Sequence, residues 1–243
     1  MDTRVVELLQ YTPLELLRVS LSKPYKTEVF TNPDAVNTPA FLGKVKRICI
    51  DNKHSSVLEH VVFSYHVKNI SRLCLQELVR HRIASYTVES TRYVLPKNID
   101  EIEKDVHTLV TEDNIDKLRE VAHKYIVLYQ PKGNGEDDII FSEQLNTLHT
   151  FLTGFLHGLK EGKSFDSIKY ILPECWKTSL VVTMNLRSMI NFARLRLDKR
   201  AHIEIRSLAM DMVNALPKEY IELIEYACLK NNVGNYTFNG GNK

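Results

Sequence analysis

The sequence predicts one α/β domain spanning residues 1–243, with more helices than strands. Residues 61–68 alternate between apolar and polar side chains, which is the period of a strand with one buried face. The apolar run at 179–184 is typical of a buried strand. Residues 145–159 and 205–216 instead repeat apolar side chains every three or four positions, as amphipathic helices do. A chain of 243 residues is long enough for one such domain.

Turn and capping residues place the first elements. Residues 5–9 predict a short strand. Thr12, Pro13 and Glu15 then fit a capping box with proline at the first helical position, so a helix is expected to start there. In the strand predicted at 61–68, four apolar side chains share one face: Val61, Phe63, Tyr65 and Val67.

Helices dominate the middle of the chain. Residues 99–110 and 114–129 carry apolar side chains at helical spacing, and Pro131 is expected to end the second helix. Residues 132–138 predict a polar loop because they combine glycine with charged side chains. The apolar stripe at 145–159 is expected to pack into a core or against a partner helix.

The last third begins with the strand at 179–184 and is then helical. The apolar stripe at 205–216 is followed by Pro217, which is expected to end that helix. The tail at 231–243 is rich in Asn and Gly and is expected to be frayed.

Composition excludes some classes of protein. Lys and Arg number 32 against 30 Asp and Glu, a net charge of +2, which is not the basic excess of a general nucleic-acid binder. The four cysteines have no C-x-x-C spacing, so free thiols in a reducing compartment are expected. No apolar run reaches membrane-spanning length and the N-terminus lacks a signal-peptide pattern, so we expect a cytoplasmic protein with no membrane partner.

A dense cluster of cations is the most informative feature. Arg80, His81 and Arg82 are followed by Ser90 and Arg92. Arginine matches phosphate and carboxylate geometry with two parallel hydrogen bonds, so this cluster predicts an anion site. If the helix predicted before Arg80 continues, Arg80 and Arg82 point about 200° apart. They would then serve two ligands, two parts of one large ligand, or two subunits. The alternative is a solvated helix end.

A second polar constellation follows the strand at 179–184. On a helix, Arg187 and Asn191 share a face, and Asn185 is placed to cap the helix start. Arg196 lies about 180° round the same helix from Arg187. One helix would therefore present polar groups in two directions. The alternative is a surface helix with solvated arginines.

A metal site is not expected. His54, Glu59 and His60 lie close together, but the two histidines lack the spacing of a zinc-protease helix. A third ligand is not evident from the sequence.

The motifs together resemble the flavin-dependent thymidylate synthase family. The Arg80-His81-Arg82 motif, seven residues and then Ser90 match its signature, with similar residues around them. The resemblance continues upstream at 54–60 and downstream through Leu172-Pro173 and residues 185–191. Its strong part covers 54–93 and 169–206.

The resemblance implies a reaction and a fold. The reaction is methylation of dUMP to dTMP, with 5,10-methylenetetrahydrofolate as carbon donor and FAD, reduced by NADPH, as hydride donor. The fold is a small, mainly antiparallel sheet flanked by helices. The implied assembly is a homotetramer whose active sites are shared between subunits, with dUMP, folate and NADPH as small-molecule partners and no nucleic-acid partner.

The resemblance also assigns residues to ligands. It implies that Arg196 ionises N3 of the uracil. The residues implied for FAD are His54, Ser56, Arg80, His81, Arg82, Val88, Asn185, Leu186, Arg187 and Asn191. The residues implied for dUMP are Glu77, Leu78, Val79, Arg80, Val88, Glu89, Ser90, Thr91, Arg92, Lys169 and Arg196.

Two positions depart from the family pattern. Val88, with Glu89 beside it, stands where the family usually has an acidic or amide residue, so a backbone contact is the one expected there. Lys169 stands where arginine is usual. Lysine supplies the charge but not the two-pronged hydrogen bonding of a guanidinium.

Two other classes of function are compatible with parts of the pattern. A non-enzymatic nucleotide- or RNA-binding protein could use Arg80, Arg82 and Arg92, and its binding would weaken steeply with salt. A structural oligomerisation domain could use the stripe at 145–159, and it would bind neither flavin nor nucleotide.

Overall fold

The computed structural model describes residues 4–25, 39–95, 97–128 and 136–230. The chain forms two compact units. We call Val5–Lys68, Gln76–Thr87 and Leu180–Lys243 the sheet unit, and Met1–Arg4, Asn69–Leu75 and Val88–Ser179 the helical unit. The single domain over 1–243 stays a prediction, and the tail 231–243 lies outside the described residues.

The sheet is small and antiparallel, as expected. In the described ranges its strands are β1 (Val5–Tyr11), β2 (Val62–Ser71), β3 (Ala84–Val88) and β4 (Lys177–Asn185), in the order β1-β2-β4-β3. β1 pairs with β2 from Val5 opposite Lys68 to Tyr11 opposite Phe63, with a bulge between Leu8 and Gln10. The three predicted strands are confirmed and are longer than predicted, whereas β3 was not predicted.

Helices make up most of the rest of the described chain. They are α1 (Glu15–Ser22), α2 (Pro39–Val45), α3 (Arg72–Leu78), α4 (Thr91–Val94), α5 (Ile99–Thr111), α6 (Ile115–Tyr125), α7 (Glu136–Lys160), α8 (Phe165–Ile168), α9 (Leu186–Arg196), α10 (Ile203–Asn214) and α11 (Lys218–Leu229). A π-helical turn, Lys46–Asp51, and a 3₁₀ turn, Ser55–His60, lie between α2 and β2. The helices predicted at 99–110, 145–159 and 205–216 are confirmed in α5, α7 and α10.

The sheet unit is built around aromatic side chains from β2 and the last helices. Phe63 and Tyr65 are fully buried on the predicted apolar face of β2. Tyr220 of α11 meets Phe63 edge to face at 5.1 Å, and its hydroxyl donates to the Thr12 carbonyl at 2.5 Å. β4 buries Leu180, Val182 and Met184 while Val181 is partly exposed, so only one face of this strand is fully covered.

The start of α1 corrects the predicted capping box. The helix begins after Leu14 and has no side-chain cap. Thr12 bonds to Val62 instead: its hydroxyl accepts from the Val62 amide at 3.1 Å, and its own amide donates to the Val62 carbonyl at 2.9 Å. The threonine extends the pairing of β1 with β2, so it is not available to the helix.

The helical unit has a core formed mainly by α5, α6 and α7. Leu148, Leu152 and Phe155 of the predicted α7 stripe are fully buried. Trp176 packs against Phe151 at 5.0 Å between ring centres. The stripe at 145–159 therefore packs into the core of this unit, which is one of the two uses expected for it.

A buried acid stabilises this core. Asp105 of α5 is 2% exposed. Its carboxylate accepts hydrogen bonds from the Tyr125 hydroxyl at 2.6 Å and from Lys124 Nζ at 2.9 and 3.1 Å. A buried carboxylate needs such partners because its desolvation is costly.

Two boundaries in this unit differ from the prediction. α6 ends at Tyr125, four residues early, because Ile126 becomes extended and pairs with Trp176. Pro131 and residues 132–135 of the predicted loop lie outside the described residues. Residues 136–138 are not loop but the first turn of α7.

Candidate active site

The Arg80–Arg82 motif lies on a tight turn, not on a continuing helix. α3 ends at Leu78, where the His81 amide donates to the Leu78 carbonyl at 3.1 Å. The Tyr86 hydroxyl of β3 lies 3.0 Å from the Leu78 carbonyl and 2.8 Å from the His81 carbonyl, and it donates to this pair. Tyr86 therefore fixes the turn. The 200° separation expected for a continued helix does not apply.

Arg80 and Arg82 are both exposed. Within the described residues, neither guanidinium has a hydrogen bond or an ion pair. Two unpaired cations on a fixed turn are the electrostatic requirement for binding an anionic ligand.

His81 points the other way, into the sheet unit. It is 9% exposed and meets Phe192 edge to face at 4.9 Å. Its Nε2 accepts a hydrogen bond from Arg196 Nε at 3.0 Å. Burial, and secondly the charge of Arg196, lower the pKa of His81 to about 4. At neutral pH the ring is therefore an uncharged acceptor.

Arg196 is held from two sides. Besides His81, its Nη1 donates to Glu77 Oε2 at 2.8 Å and its Nη2 to the Glu77 carbonyl at 2.9 Å. A guanidinium has five N–H donors, so two remain. The three predicted residues Glu77, His81 and Arg196 thus form one cluster, which we call the Arg196 cluster.

The start of α9 holds the second predicted flavin segment. Asn185 caps the helix, accepting from the Ser188 amide at 2.8 Å, as expected. Leu186 is buried, whereas Arg187 and Asn191 are exposed and lie four residues apart on one face. Arg187 donates to Glu59 at 2.5 Å.

The 3₁₀ turn Ser55–His60, which carries Glu59, packs against α9. His54, which immediately precedes this turn, and Ser56 within it are exposed. The structure therefore brings the predicted residues at 54–56 and 185–191 together around one end of α9.

Two predicted nucleotide residues, Arg92 and Lys169, meet in the helical unit. Asp166 Oδ1 accepts from Arg92 Nε at 2.8 Å and from Lys169 Nζ at 2.7 Å. These two cations, 77 positions apart in the numbering of the chain, thereby share one carboxylate. The hydrogen bonds from the two cations, that of Lys169 first, hold the pKa of Asp166 below its usual value.

Other residues in the dUMP set are engaged with the protein itself. The Glu89 carboxylate accepts from the Ser179 amide at 3.1 Å, and the Glu89 amide donates to the Ser179 carbonyl at 2.9 Å. Leu78 is fully buried, while Val79 is 40% exposed. Ser90 precedes α4 and does not cap it through its side chain. Val88 and Thr91 are half-buried.

Sequence reasoning missed Tyr86, Phe192 and Asp166. Tyr86 lies in an alternating stretch that signals a strand, but its role depends on the turn that it faces. Asp166 lies three residues before Lys169, a spacing that allows an ion pair on a helix. Nothing in the sequence links Asp166 to Arg92.

Across the four described ranges, no group of three or more His, Cys, Asp or Glu side chains is arranged to hold a metal ion. In the part of the chain that the structure describes, no helix is long and apolar enough to cross a membrane.

The cysteines are free thiols, as predicted. Cys49, Cys74 and Cys228 are buried, and Cys175 is half-buried. Burial raises the pKa of Cys49 and of Cys228 to about 11, so both are protonated at neutral pH.

Comparison with known proteins gives the same family throughout. Residues 7–220 match the family model described as thymidylate synthase complementing protein. A flavin-dependent thymidylate synthase from Campylobacter jejuni is 39% identical over 181 residues, covering 74% of this chain and 77% of the relative. The enzyme of that name from Pyrococcus abyssi is 33% identical, covering 92% of this chain and 84% of the relative.

A solved structure agrees in fold. The crystal structure of thymidylate synthase X from Helicobacter pylori with FAD and dUMP superposes with a TM-score of 0.76 at 28% identity. The match covers 93% of this chain and 99% of that one.

Proposed function

The chain belongs to the flavin-dependent thymidylate synthase family, and from this premise we propose which of its side chains hold the flavin and the nucleotide. The reaction is the reductive methylation of dUMP to dTMP, with FAD as cofactor. A non-enzymatic nucleotide- or RNA-binding protein is not supported by this membership.

The proposal for FAD rests on one observation above all: Arg80 and Arg82 are exposed, held on a fixed turn and, among the described residues, without a protein partner. Such cations suit the two phosphates of FAD. Asn191 adds an exposed amide on the same helix face as Arg187. The full set proposed for FAD is His54, Ser56, Arg80, His81, Arg82, Val88, Asn185, Leu186, Arg187 and Asn191. When bound, reduced FAD supplies the hydride.

His81 is proposed to act in this set through its main-chain carbonyl, which accepts from Tyr86 and keeps a second lone pair. Its side chain is committed to Arg196 and Phe192 and is only 9% exposed. Asn185 and Leu186 are likewise proposed to contribute through the helix start that they form, because Asn185 is the cap and Leu186 is buried.

The nucleotide phosphate is proposed to bind Arg92, Lys169 and Ser90. Toward the residues that the structure describes, Arg92 uses only its Nε, so its two Nη groups remain available to form paired hydrogen bonds with a phosphate. Lys169 uses one of three donors. Ser90 has no adjacent base, so it is a hydrogen-bonding ligand and not a nucleophile. The wider set is Glu77, Leu78, Val79, Arg80, Val88, Glu89 and Thr91.

Arg196 is proposed to act on the uracil ring. Its two remaining N–H donors would stabilise negative charge at N3, and loss of the N3 proton increases the electron density available for carbon transfer. Glu77 and the neutral His81 fix the guanidinium without adding a positive charge beside it. Such preorganised donors lose little free energy to reorientation during the reaction.

The co-substrates and the assembly are part of the same proposal. We propose 5,10-methylenetetrahydrofolate as carbon donor, NADPH as reductant, a cytoplasmic location and a homotetramer with shared active sites. Large exposed apolar side chains near predicted site residues support an assembly, because burial against another chain would remove them from water. They include Ile83 at 75%, Tyr170 at 88% and Leu195 at 56% exposure.

The test of function combines a spectrum with turnover. Purified protein should show the visible absorption of bound flavin and form dTMP from dUMP when given the folate and NADPH. Arg82→Ala should weaken FAD about tenfold or more, since a charge-assisted hydrogen bond contributes about 1.5–3 kcal/mol. Arg200→Ala is the control, because Arg200 is 85% exposed and bonds only locally to Asp198. Equal FAD affinity in both variants would contradict the assignment of Arg82.

The shared site is tested separately. An Arg92→Ala variant and an Arg196→Ala variant, each inactive, should regain activity when mixed if the two residues act from different chains. A fully active monomer would contradict the tetramer.

A further inference from the structure

We infer that Asp166 is a positioning residue for the nucleotide phosphate: it holds Arg92 and Lys169 together with their phosphate-binding donors free. This rests on the proposed function, in which these two cations bind the phosphate of dUMP. Asp166 belongs to neither ligand set that the sequence motifs define.

The geometry indicates that Asp166 orients Arg92 and does not compete with the phosphate for it. Asp166 Oδ1 accepts a hydrogen bond from the Nε of Arg92, on the side edge of the guanidinium. This single bond leaves the terminal Nη1 and Nη2 pair, which can meet a phosphate with two parallel hydrogen bonds. Within the described residues, that pair donates no hydrogen bond.

The same oxygen brings the second cation to the site. Lys169 Nζ lies 2.7 Å from Oδ1, so both nitrogens are within 2.8 Å of one atom. Two like charges this close repel each other, and the carboxylate offsets the repulsion. Both cations hold the pKa of Asp166 below its usual value, so it stays charged at neutral pH.

The exposure of the three side chains indicates that Asp166 does not serve mainly to stabilise the fold. The side chains of Arg92, Asp166 and Lys169 are 60%, 46% and 37% exposed. Exposed ion pairs contribute little to folding stability. What Asp166 does provide is order: free arginine and lysine side chains lose rotamer freedom when a ligand immobilises them. With Asp166 in place, Arg92 and Lys169 have already lost part of this rotamer freedom before dUMP binds.

Lysine at position 169 makes the carboxylate more important. An arginine here could meet a phosphate with two parallel bonds and a geometry of its own. An ammonium group has no preferred plane, so its position depends on what anchors the side chain. Asp166, three residues earlier and 2.7 Å away, is that anchor.

The test uses the flavin-loaded full-length enzyme, the substrate dUMP and deoxyuridine as an inhibitor. Asp166→Asn should raise the KM for dUMP by about tenfold, because two long side chains must then be ordered on binding. The kcat at saturating dUMP should stay within about twofold and the melting temperature should not fall. Inhibition by deoxyuridine, which lacks the phosphate, should be unchanged. Asp166→Ser removes the charge with a smaller side chain and serves if the Asn variant does not fold.

The control is Glu103→Gln, which breaks another exposed ion pair of the helical unit, to Lys160 at 2.5 Å. It should leave the KM for dUMP unchanged. A lower KM in Asp166→Asn would make the carboxylate a competitor and overturn the inference, as would a KM equal to that of the unmodified enzyme. Failure of the unmodified enzyme to bind dUMP at all would instead overturn the proposed function.

Discussion

Acid should destabilise the sheet unit through His81. The pKa of this imidazole is lowered from 6.5 to about 4, chiefly by burial and then by Arg196. Below pH 6.5 the unfolded chain takes up a proton at this position, whereas the folded chain does so only near pH 4. The neutral ring therefore stabilises the fold fully above pH 6.5, and this contribution is lost as the pH falls toward 4. At 1.36 kcal/mol for each pKa unit, the loss reaches about 3 kcal/mol.

The measurement is urea unfolding of the enzyme and of His81→Gln between pH 7 and pH 4.5. Glutamine keeps an acceptor for Arg196 but does not titrate, so the difference between the two proteins isolates His81. That difference should shift in favour of the variant by about 1.36 kcal/mol for each pH unit below 6.5.

The control is His60→Gln, which replaces an exposed imidazole outside the Arg196 cluster. Unfolding curves of the enzyme and of His81→Gln that change in parallel with pH would refute the reasoning, because they would show that His81 protonates equally in both states. A nuclear magnetic resonance titration that gave the His81 ring a pKa near 6.5 in the folded protein would refute it directly.

Three further outcomes follow from the same contacts. Asp105→Ala should cost about 3 kcal/mol of unfolding free energy by urea titration, because it leaves the buried Tyr125 hydroxyl without its acceptor and removes the nearer of the two carboxylates beside Lys124. An unchanged midpoint would contradict this. Arg196→Lys should keep its flavin yet lose about tenfold or more of dTMP turnover, since an ammonium lacks the planar fork; full turnover would remove Arg196 from the catalytic residues. Single alanine variants of Cys49 and Cys228 should keep dTMP turnover within a few-fold of the unmodified enzyme, because both thiols are protonated at neutral pH. A variant that is folded and flavin-loaded but has no turnover would show a thiol-dependent reaction.

Local spacing was enough to predict most elements and one functional detail. The alternation at 61–68 and the apolar stripes of α7 and α10 depend on periods of two and about 3.6 residues, which the chain carries in its own order. Asn185 caps α9 as predicted, because a cap needs only the amides two or three residues ahead. The exposed pair Arg187 and Asn191 follows from the same helical geometry.

Reasoning from local spacing failed where a residue distant in the chain forms the hydrogen bond instead of a neighbour. Thr12 lies in the sequence pattern of a helix cap, but its hydroxyl bonds to Val62, 50 residues away. The helix before Arg80 ends at Leu78, and the hydroxyl of Tyr86 bonds to the turn that follows. Spacing rules describe neighbours within one element and do not include such partners.

The motifs therefore determined the family, the types of charged residue and the helix that carries the second segment. Tertiary structure alone decided the use of each cation. Arg80 and Arg82 have no partner among the described residues. Arg196 is fixed by Glu77 and His81 across 119 and 115 positions, and Arg92 meets Asp166 across 74. The reason is physical. Helix and strand periods act over a few residues, but the partner of a long side chain is chosen by packing, burial and the charge that burial leaves to be compensated.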